Sequence, residues 1–157
     1  MKIELKKISY SKALSEETSA YAAQLWINGK HAADVSNHGQ GGPDMVYDKD
    51  RTAVAAAEAY IATLPAVEAY GMTLPQTLET VCGDLLNDHL LLKDMKRRLK
   101  GSLLFVEDGK LYSSKYKGVK TLTEAHVVRF KDKHPAVTLL NVIPETEAFN
   151  LFKTLAA

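Results

Sequence analysis

The chain has little cysteine, little tryptophan and no long apolar run: one Cys, one Trp and five Pro stand among 157 residues. Each scarcity excludes something. A single cysteine, Cys82, has no partner within the chain, so a disulfide-stapled framework is excluded and a reducing compartment fits. Its expected place on the inner face of a helix gives it a packing role rather than a nucleophilic one, since no base or electropositive pocket is legible around it. The longest apolar candidate, Leu85 to Leu92, is broken by Asn87, Asp88 and His89. It falls short of the roughly 18 to 20 residues that a helical membrane span requires, which excludes such a span. The segment Met1 to Lys7 alternates charge and bulk without the apolar stretch of a secretory signal, so the expected location is the cytoplasm.

Net charge is also scarce, at +1, but its distribution is uneven. Residues 1–92 carry 7 basic and 12 acidic side chains, residues 93–133 carry 12 and 5, and residues 134–157 carry 1 and 2. Such a separation bears on partners and solubility rather than on fold. The remaining composition, 46% hydrophobic and 25% charged, is that of a globular protein, and the length predicts a single domain over residues 1–157.

The local pattern predicts an α+β fold in which antiparallel hairpins pack against one long central helix and shorter helices. Lys2 to Tyr10 reads as an opening strand with a bulge near Lys6 and Lys7. Tyr21–Ile27 and Lys30–Ser36 flank Asn28-Gly29, the dipeptide that a two-residue hairpin turn favours because both central residues need φ > 0. Tyr21 and Trp26, five positions apart, fall on opposite faces of their strand. Met45 to Tyr47 reads as a short returning strand, and Asp50 as the cap of a helix running from Arg51 to Leu64 before Pro65. A helix of about seven turns is expected from Leu74, with Thr73 as cap and Pro75 in its first turn. His89 lies on its apolar side as a partly buried residue. A second hairpin turns at Asp108-Gly109, a helix starts at Thr121 or Thr123, Val137 to Ile143 reads as a buried strand, and Glu145 to Leu155 as a closing helix.

The candidate sites follow from glycine and charge. Three of the nine glycines lie in one run, and Asn37, His38, Gly39, Gln40, Gly41, Gly42 and Asp44 form a candidate ligand- or partner-binding loop whose backbone N–H groups suit an anion. It is not a P-loop, because Gly41-Gly42-Pro43-Asp44 lacks the closing Gly-Lys-Ser/Thr, and not a dinucleotide fingerprint, because no helix begins within the glycines. His31, Asp34, His38 and Asp44 are metal-ligating types close in sequence, but alternation sends His31 and Asp34 to opposite faces, so no metal or other cofactor is expected. Glu16-Glu17 reads as a solvated turn. No nucleophile, base and orienter come together by spacing, so no catalytic residue is assigned. Lys96, Arg97, Arg98, Lys100, Lys115, Lys117 and Lys120, interleaved with Tyr112 and Tyr116, are candidate nucleic-acid contacts.

Ser15-Glu16-Glu17-Thr18, Asn28-Gly29-Lys30, Val35 to Gly42, Leu104-Phe105, Asp108-Gly109-Lys110, Tyr112, His134-Pro135, Leu140-Asn141, Pro144 and Ala148 together resemble a group of small uncharacterised bacterial and phage proteins. The resemblance implies a phage or mobile-element setting and supplies no activity. The leading expectation is a non-enzymatic binding protein that acts on a host protein or nucleoprotein. The alternatives are a small-ligand or nucleotide-binding protein, or an enzyme, with its site at residues 37–44, and a nucleic-acid binder acting through residues 93–133. The sequence leaves the oligomeric state open.

Overall fold

One tight turn and two bulges shape the N-terminal sheet. β1 (Ile3–Ser11), β2 (Ala20–Ile27), β3 (Lys30–Asn37) and β4 (Met45–Asp48) pair antiparallel in that order, with a short 3-10 turn at Lys12–Leu14 after β1. Asn28 and Gly29 take φ of 49° and 82°, the left-handed pair that closes the β2–β3 hairpin. Lys7, at φ 50°, sits where the β1–β2 register slips between Lys6 and Ser9, the expected bulge. Tyr21, Ala23, Leu25 and Ile27 are buried on one face while Trp26 lies on the other, as alternation requires. The structure described here is a computed structural model, and it describes residues 1–69 and 71–156.

The second bulge corrects a sequence expectation. Leu25 pairs with Ala33 but Trp26 pairs with His31, so Ala32 is an extra residue and both Ala32 and Ala33 point inward. The slip brings His31 onto the same face as Asp34, and His31 Nε2 lies 2.8 Å from Asp34 Oδ1. Strict period-two reading fails there because one inserted residue inverts the alternation of what precedes it.

Asp50 caps α1 (Arg51–Ile61) by accepting from the Ala53 N–H at 3.0 Å, and Val54, Ala57 and Ile61 form its buried stripe. The helix ends at Ile61 rather than Leu64, where the N–H groups of Thr63 and Leu64 turn to the carbonyls of Tyr60 and Ile61. A small hairpin follows, β5 (Val67–Ala69) with β6 (Met72–Leu74), and it removes Leu74 from the long helix. That helix, α2 (Leu78–Gly101), starts one turn later than the sequence suggests. Thr77 and Thr80 cap it reciprocally: Thr80 N–H donates to Thr77 Oγ1 (3.2 Å) and Thr77 N–H to Thr80 Oγ1 (2.8 Å).

The chain divides into two compact units, Met1–Asn87 and Asp88–Ala157. In the second, β7 (Leu103–Glu107) and β8 (Lys110–Ser114) form the hairpin expected at Asp108-Gly109, with φ of 48° and 71°. α3 (Glu124–Lys133) follows Thr123, β9 (Thr138–Leu139) pairs with β7, and α4 (Glu145–Leu155) closes the unit. The strand expected from Val137 to Ile143 therefore stops at Leu139. Asn141 ends it: its side chain accepts from the Leu104 N–H (2.9 Å) and donates to the carbonyls of Leu99 (3.2 Å) and Ser102 (3.1 Å), replacing the ladder with a turn. Met95, Leu104, Leu140, Ala148 and Phe152 make one buried cluster, and Leu103, Phe130, Val137 and Leu139 another. The fold is α+β: antiparallel sheets and, among the described residues, four α-helices of which α2 is long.

Candidate functional site

In the first unit, the glycine-rich loop between β3 and β4 is built around one buried amide. Asn37 is 7% exposed and its side chain uses every polar atom. Oδ1 accepts from the Gly39 N–H and the Thr18 hydroxyl, both at 2.8 Å. Nδ2 donates to the Gly42 carbonyl at 2.9 Å and to Asp44 Oδ1 at 3.0 Å. The Gly39 carbonyl in turn accepts from three successive N–H groups, those of Glu16 (3.0 Å), Glu17 (3.0 Å) and Thr18 (3.3 Å). Gly41 N–H donates to Thr18 Oγ1 at 3.3 Å. The Ser15–Thr18 turn and the glycine run thus fold onto each other, and the amides of Gly39 and Gly41 are engaged inside the loop.

A left-handed φ favours glycine at two of these positions, and at Gly39 a backbone contact adds to it. Gly39 has φ +86°, and a Cβ there would stand 2.1 Å from the Leu14 carbonyl oxygen and 2.9 Å from Ala20 Cβ. Gly41 has φ +84°, and a Cβ would meet the Glu17 carboxylate at 2.2 Å. Gly42 has open space around it. The His38 and Gln40 side chains are exposed. His38 also borders a hollow of about 200 Å³ lined with Ser9, Ser11, Tyr21 and Asn37.

Asp44 links the loop to the core of its unit. The buried Tyr21 hydroxyl donates to Asp44 Oδ2, and the Asp44 N–H donates to Glu79 Oε1 at 3.2 Å. Burial first, then the hydrogen bond and charge of Asp44, raise the Tyr21 phenol far above its ordinary range. Burial also pushes the Cys82 thiol up to about 12, with Asp44 and Glu79 adding to the effect. Cys82 is fully buried. The metal-ligating types do not converge: His31 meets Asp34, His38 is exposed, and Asp44 serves Tyr21 and Asn37. Among the described residues no group of three or more His, Cys, Asp or Glu side chains is placed to hold a metal ion. Thr18, Tyr21 and Glu79 are loop partners that sequence reasoning missed. Glu79 lies 35 residues from Asp44, and no local signal announces such a contact.

In the second unit, four of the cations lie together along α2. His89 is exposed, contrary to the expectation of partial burial, because the buried residue of this stretch is Met95 and His89 projects off its stripe. It lines an open groove of about 460 Å³ with Leu92, Lys93, Lys96, Arg97 and Lys100. The segment after β8 lies against the end of α2: the Leu122 N–H donates to the Lys100 carbonyl at 2.8 Å, and a Cβ on Gly101 would stand 2.9 Å from the Lys120 carbonyl oxygen. Lys100 and Lys120, distant in sequence, therefore share one end of the unit. Comparison with known proteins adds no homologue. No family model, curated protein or solved structure matches the chain.

The candidate cations differ in their partners. Lys96 pairs with Glu145 at 2.9 Å, Arg97 with Asp94, and Arg98 with Asp94 at 2.7 Å. Arg98 also lies over the Phe152 ring, 5.6 Å from its centroid. The two arginines hold the Asp94 carboxyl below its ordinary range, the Arg97 hydrogen bond contributing most. Lys93, Lys100, Lys115, Lys117 and Lys120 have no carboxylate within ion-pair distance among the described residues. Tyr112 is exposed and stacks on Phe105 at 5.6 Å, whereas Tyr116 is half-buried and its hydroxyl donates to the His126 carbonyl.

Proposed function

We propose that this chain is a binding protein that contacts the phosphate backbone of a nucleic acid, bare or within a nucleoprotein, through the cationic end of its second unit. The observation that carries this reading is the approach of the Lys120–Leu122 backbone to the end of α2: the Leu122 N–H bonds to the Lys100 carbonyl, and the Lys120 carbonyl lies beside Gly101, which brings Lys120 next to Lys100. Lysines without carboxylate partners on one surface attract a phosphate chain by counterion release, and such contacts carry affinity without sequence readout. The test is fluorescence anisotropy of labelled single- and double-stranded oligonucleotides over a salt series. With three to five phosphate contacts, log K falls against log salt with a slope of about −2 to −4. Absence of binding at low salt, or a flat slope, contradicts the reading.

The hollow beside His38 favours a second reading, a small polar ligand held against the 37–44 loop. Native mass spectrometry and thermal shift across a nucleotide panel test it. A retained mass or a stabilising shift supports it, and a clean apo mass without any shift rejects it.

A further inference from the structure

Three of the α2 cations are already answered by carboxylates of their own unit. Asp94 divides its two oxygens between Arg97 and Arg98, and Glu145, at the first turn of α4, holds Lys96. These pairs sit at the surface: the side chains of Arg97, Arg98, Lys96 and Glu145 are 75%, 47%, 48% and 60% exposed. Exposed ion pairs are weak, because water screens them and two long side chains must be held still. A phosphate chain arriving on the neighbouring free lysines therefore meets cations that exchange partners readily. A tethered carboxylate nevertheless has a high effective concentration at its own lysine, in the millimolar range for short tethers. An isolated phosphate at low concentration does not displace it. A polyanion already anchored on Lys93 and Lys100 presents its next phosphate at comparable effective concentration, and displaces it.

Resting on the reading of this surface as a phosphate-binding one, we propose that Glu145 and Asp94 are built-in competitors that keep Lys96, Arg97 and Arg98 in reserve. The surface then engages an extended phosphate chain and rejects single phosphates. Lys93 and Lys100 lie on the same side of α2 as Lys96 and Arg97, all lining one groove, so the first contacts and the reserved ones are contiguous. The arrangement also sets the salt response. Each reserved cation costs an internal pair when it meets phosphate, so the affinity gained per cation is smaller than for a free lysine.

Glu147, two residues on and so on the opposite side of α4, supplies the internal control. It is exposed, carries the same charge as Glu145 and has no cation within ion-pair distance among the described residues. The experiment measures binding of a labelled oligothymidylate to the full chain and to the variants Glu145→Gln, Asp94→Asn and Glu147→Gln, with inorganic phosphate as competitor. Circular dichroism checks that each variant is folded. Glu145→Gln is expected to bind the oligonucleotide about 3- to 10-fold more tightly at low salt than Glu147→Gln, with a slope steeper by about 0.7. Inorganic phosphate competes at lower concentration in Glu145→Gln than in the unmodified chain. Asp94→Asn moves in the same direction. Equal affinities for Glu145→Gln and Glu147→Gln overturn the competitor role while leaving the phosphate-binding reading intact. If neither the unmodified chain nor any variant binds, both fall.

Discussion

Asn37 Nδ2 donates to Asp44 Oδ1 at 3.0 Å, and this contact closes the glycine-rich loop upon itself. The same amide accepts from Gly39 and Thr18, so one buried side chain fixes both ends of the run and the turn packed against it. The loop is thereby a structural joint of the first unit, held to β2 through Tyr21 and to α2 through Glu79.

Removal of that amide leaves several buried polar groups without partners. Asn37→Ala is expected to destabilise the first unit by about 2–4 kcal/mol, since unsatisfied buried donors and acceptors carry their full desolvation cost. Asn37→Asp replaces the two donated bonds with repulsion against Asp44 and is expected to cost at least as much. Urea denaturation followed by Trp26 fluorescence measures both; a change below about 0.5 kcal/mol, the scale of an ordinary surface substitution, contradicts the joint.

Gly39 and Gly42 make a paired test within the same loop. Gly39→Ala combines an unfavourable φ with a Cβ driven into the Leu14 carbonyl, whereas Gly42→Ala meets nothing within 4 Å. The first is expected to lower stability by more than about 2 kcal/mol and the second to stay within about 0.5 kcal/mol of the original. Equal midpoints in a denaturant titration contradict this division.

Cys82 gives a pH-dependent prediction. Its folded thiol is pushed up to about 12, above the roughly 8.5 of an unfolded thiol, so the folded state retains a proton that the unfolded state loses. The stabilising contribution is complete below the unfolded value and declines as pH rises toward the folded one. Cys82→Ala is therefore expected to flatten the alkaline loss of stability between about pH 8.5 and 11, read from urea midpoints. Native Cys82 is also expected to react with iodoacetamide far more slowly than the urea-unfolded chain at pH 8. Comparable alkylation rates in the two states rule out its burial.

Much of the architecture is written in short-range chemistry. Asn28-Gly29 and Asp108-Gly109 each supply the two left-handed residues of a tight turn, and Asp50 supplies a cap, all from neighbours in the chain. The misreadings arise where a local pattern meets a distant partner. Ala32 is an unremarkable alanine in sequence, and only pairing with β2 makes it a bulge that turns His31 toward Asp34. Val137 to Ile143 looks like a continuous strand until Asn141 bonds to Leu99, Ser102 and Leu104. Leu74 fits the helical stripe, but pairing with Val67 claims it. Of the candidate sites, the loop's glycines and the run of cations are visible by composition. The Asp94 pairs are also legible, since Asp94 precedes Arg97 and Arg98 at helical spacing, whereas Glu145 facing Lys96 is not.

Gly101 tests whether joining the two basic segments matters. A Cβ there stands 2.9 Å from the Lys120 carbonyl oxygen, so Gly101→Ala pushes the 117–120 backbone away from the end of α2. Oligonucleotide affinity is expected to fall about 3- to 10-fold at low salt, as for a lost phosphate contact, while helix content holds. Unchanged affinity in a folded variant contradicts a joint surface.

The most direct measurement compares two triple variants with the same change in net charge. Lys100→Gln/Lys117→Gln/Lys120→Gln removes cations of the proposed surface, and Lys7→Gln/Lys12→Gln/Lys30→Gln removes exposed cations of the first unit. Binding of a labelled oligothymidylate is followed by anisotropy from low to moderate salt. The first triple is expected to weaken binding about 10- to 100-fold and to reduce the salt slope by about 2, while the second stays close to the unmodified chain. Equal losses in both triples, or a salt slope near zero in the unmodified chain, contradict phosphate recognition by the second unit.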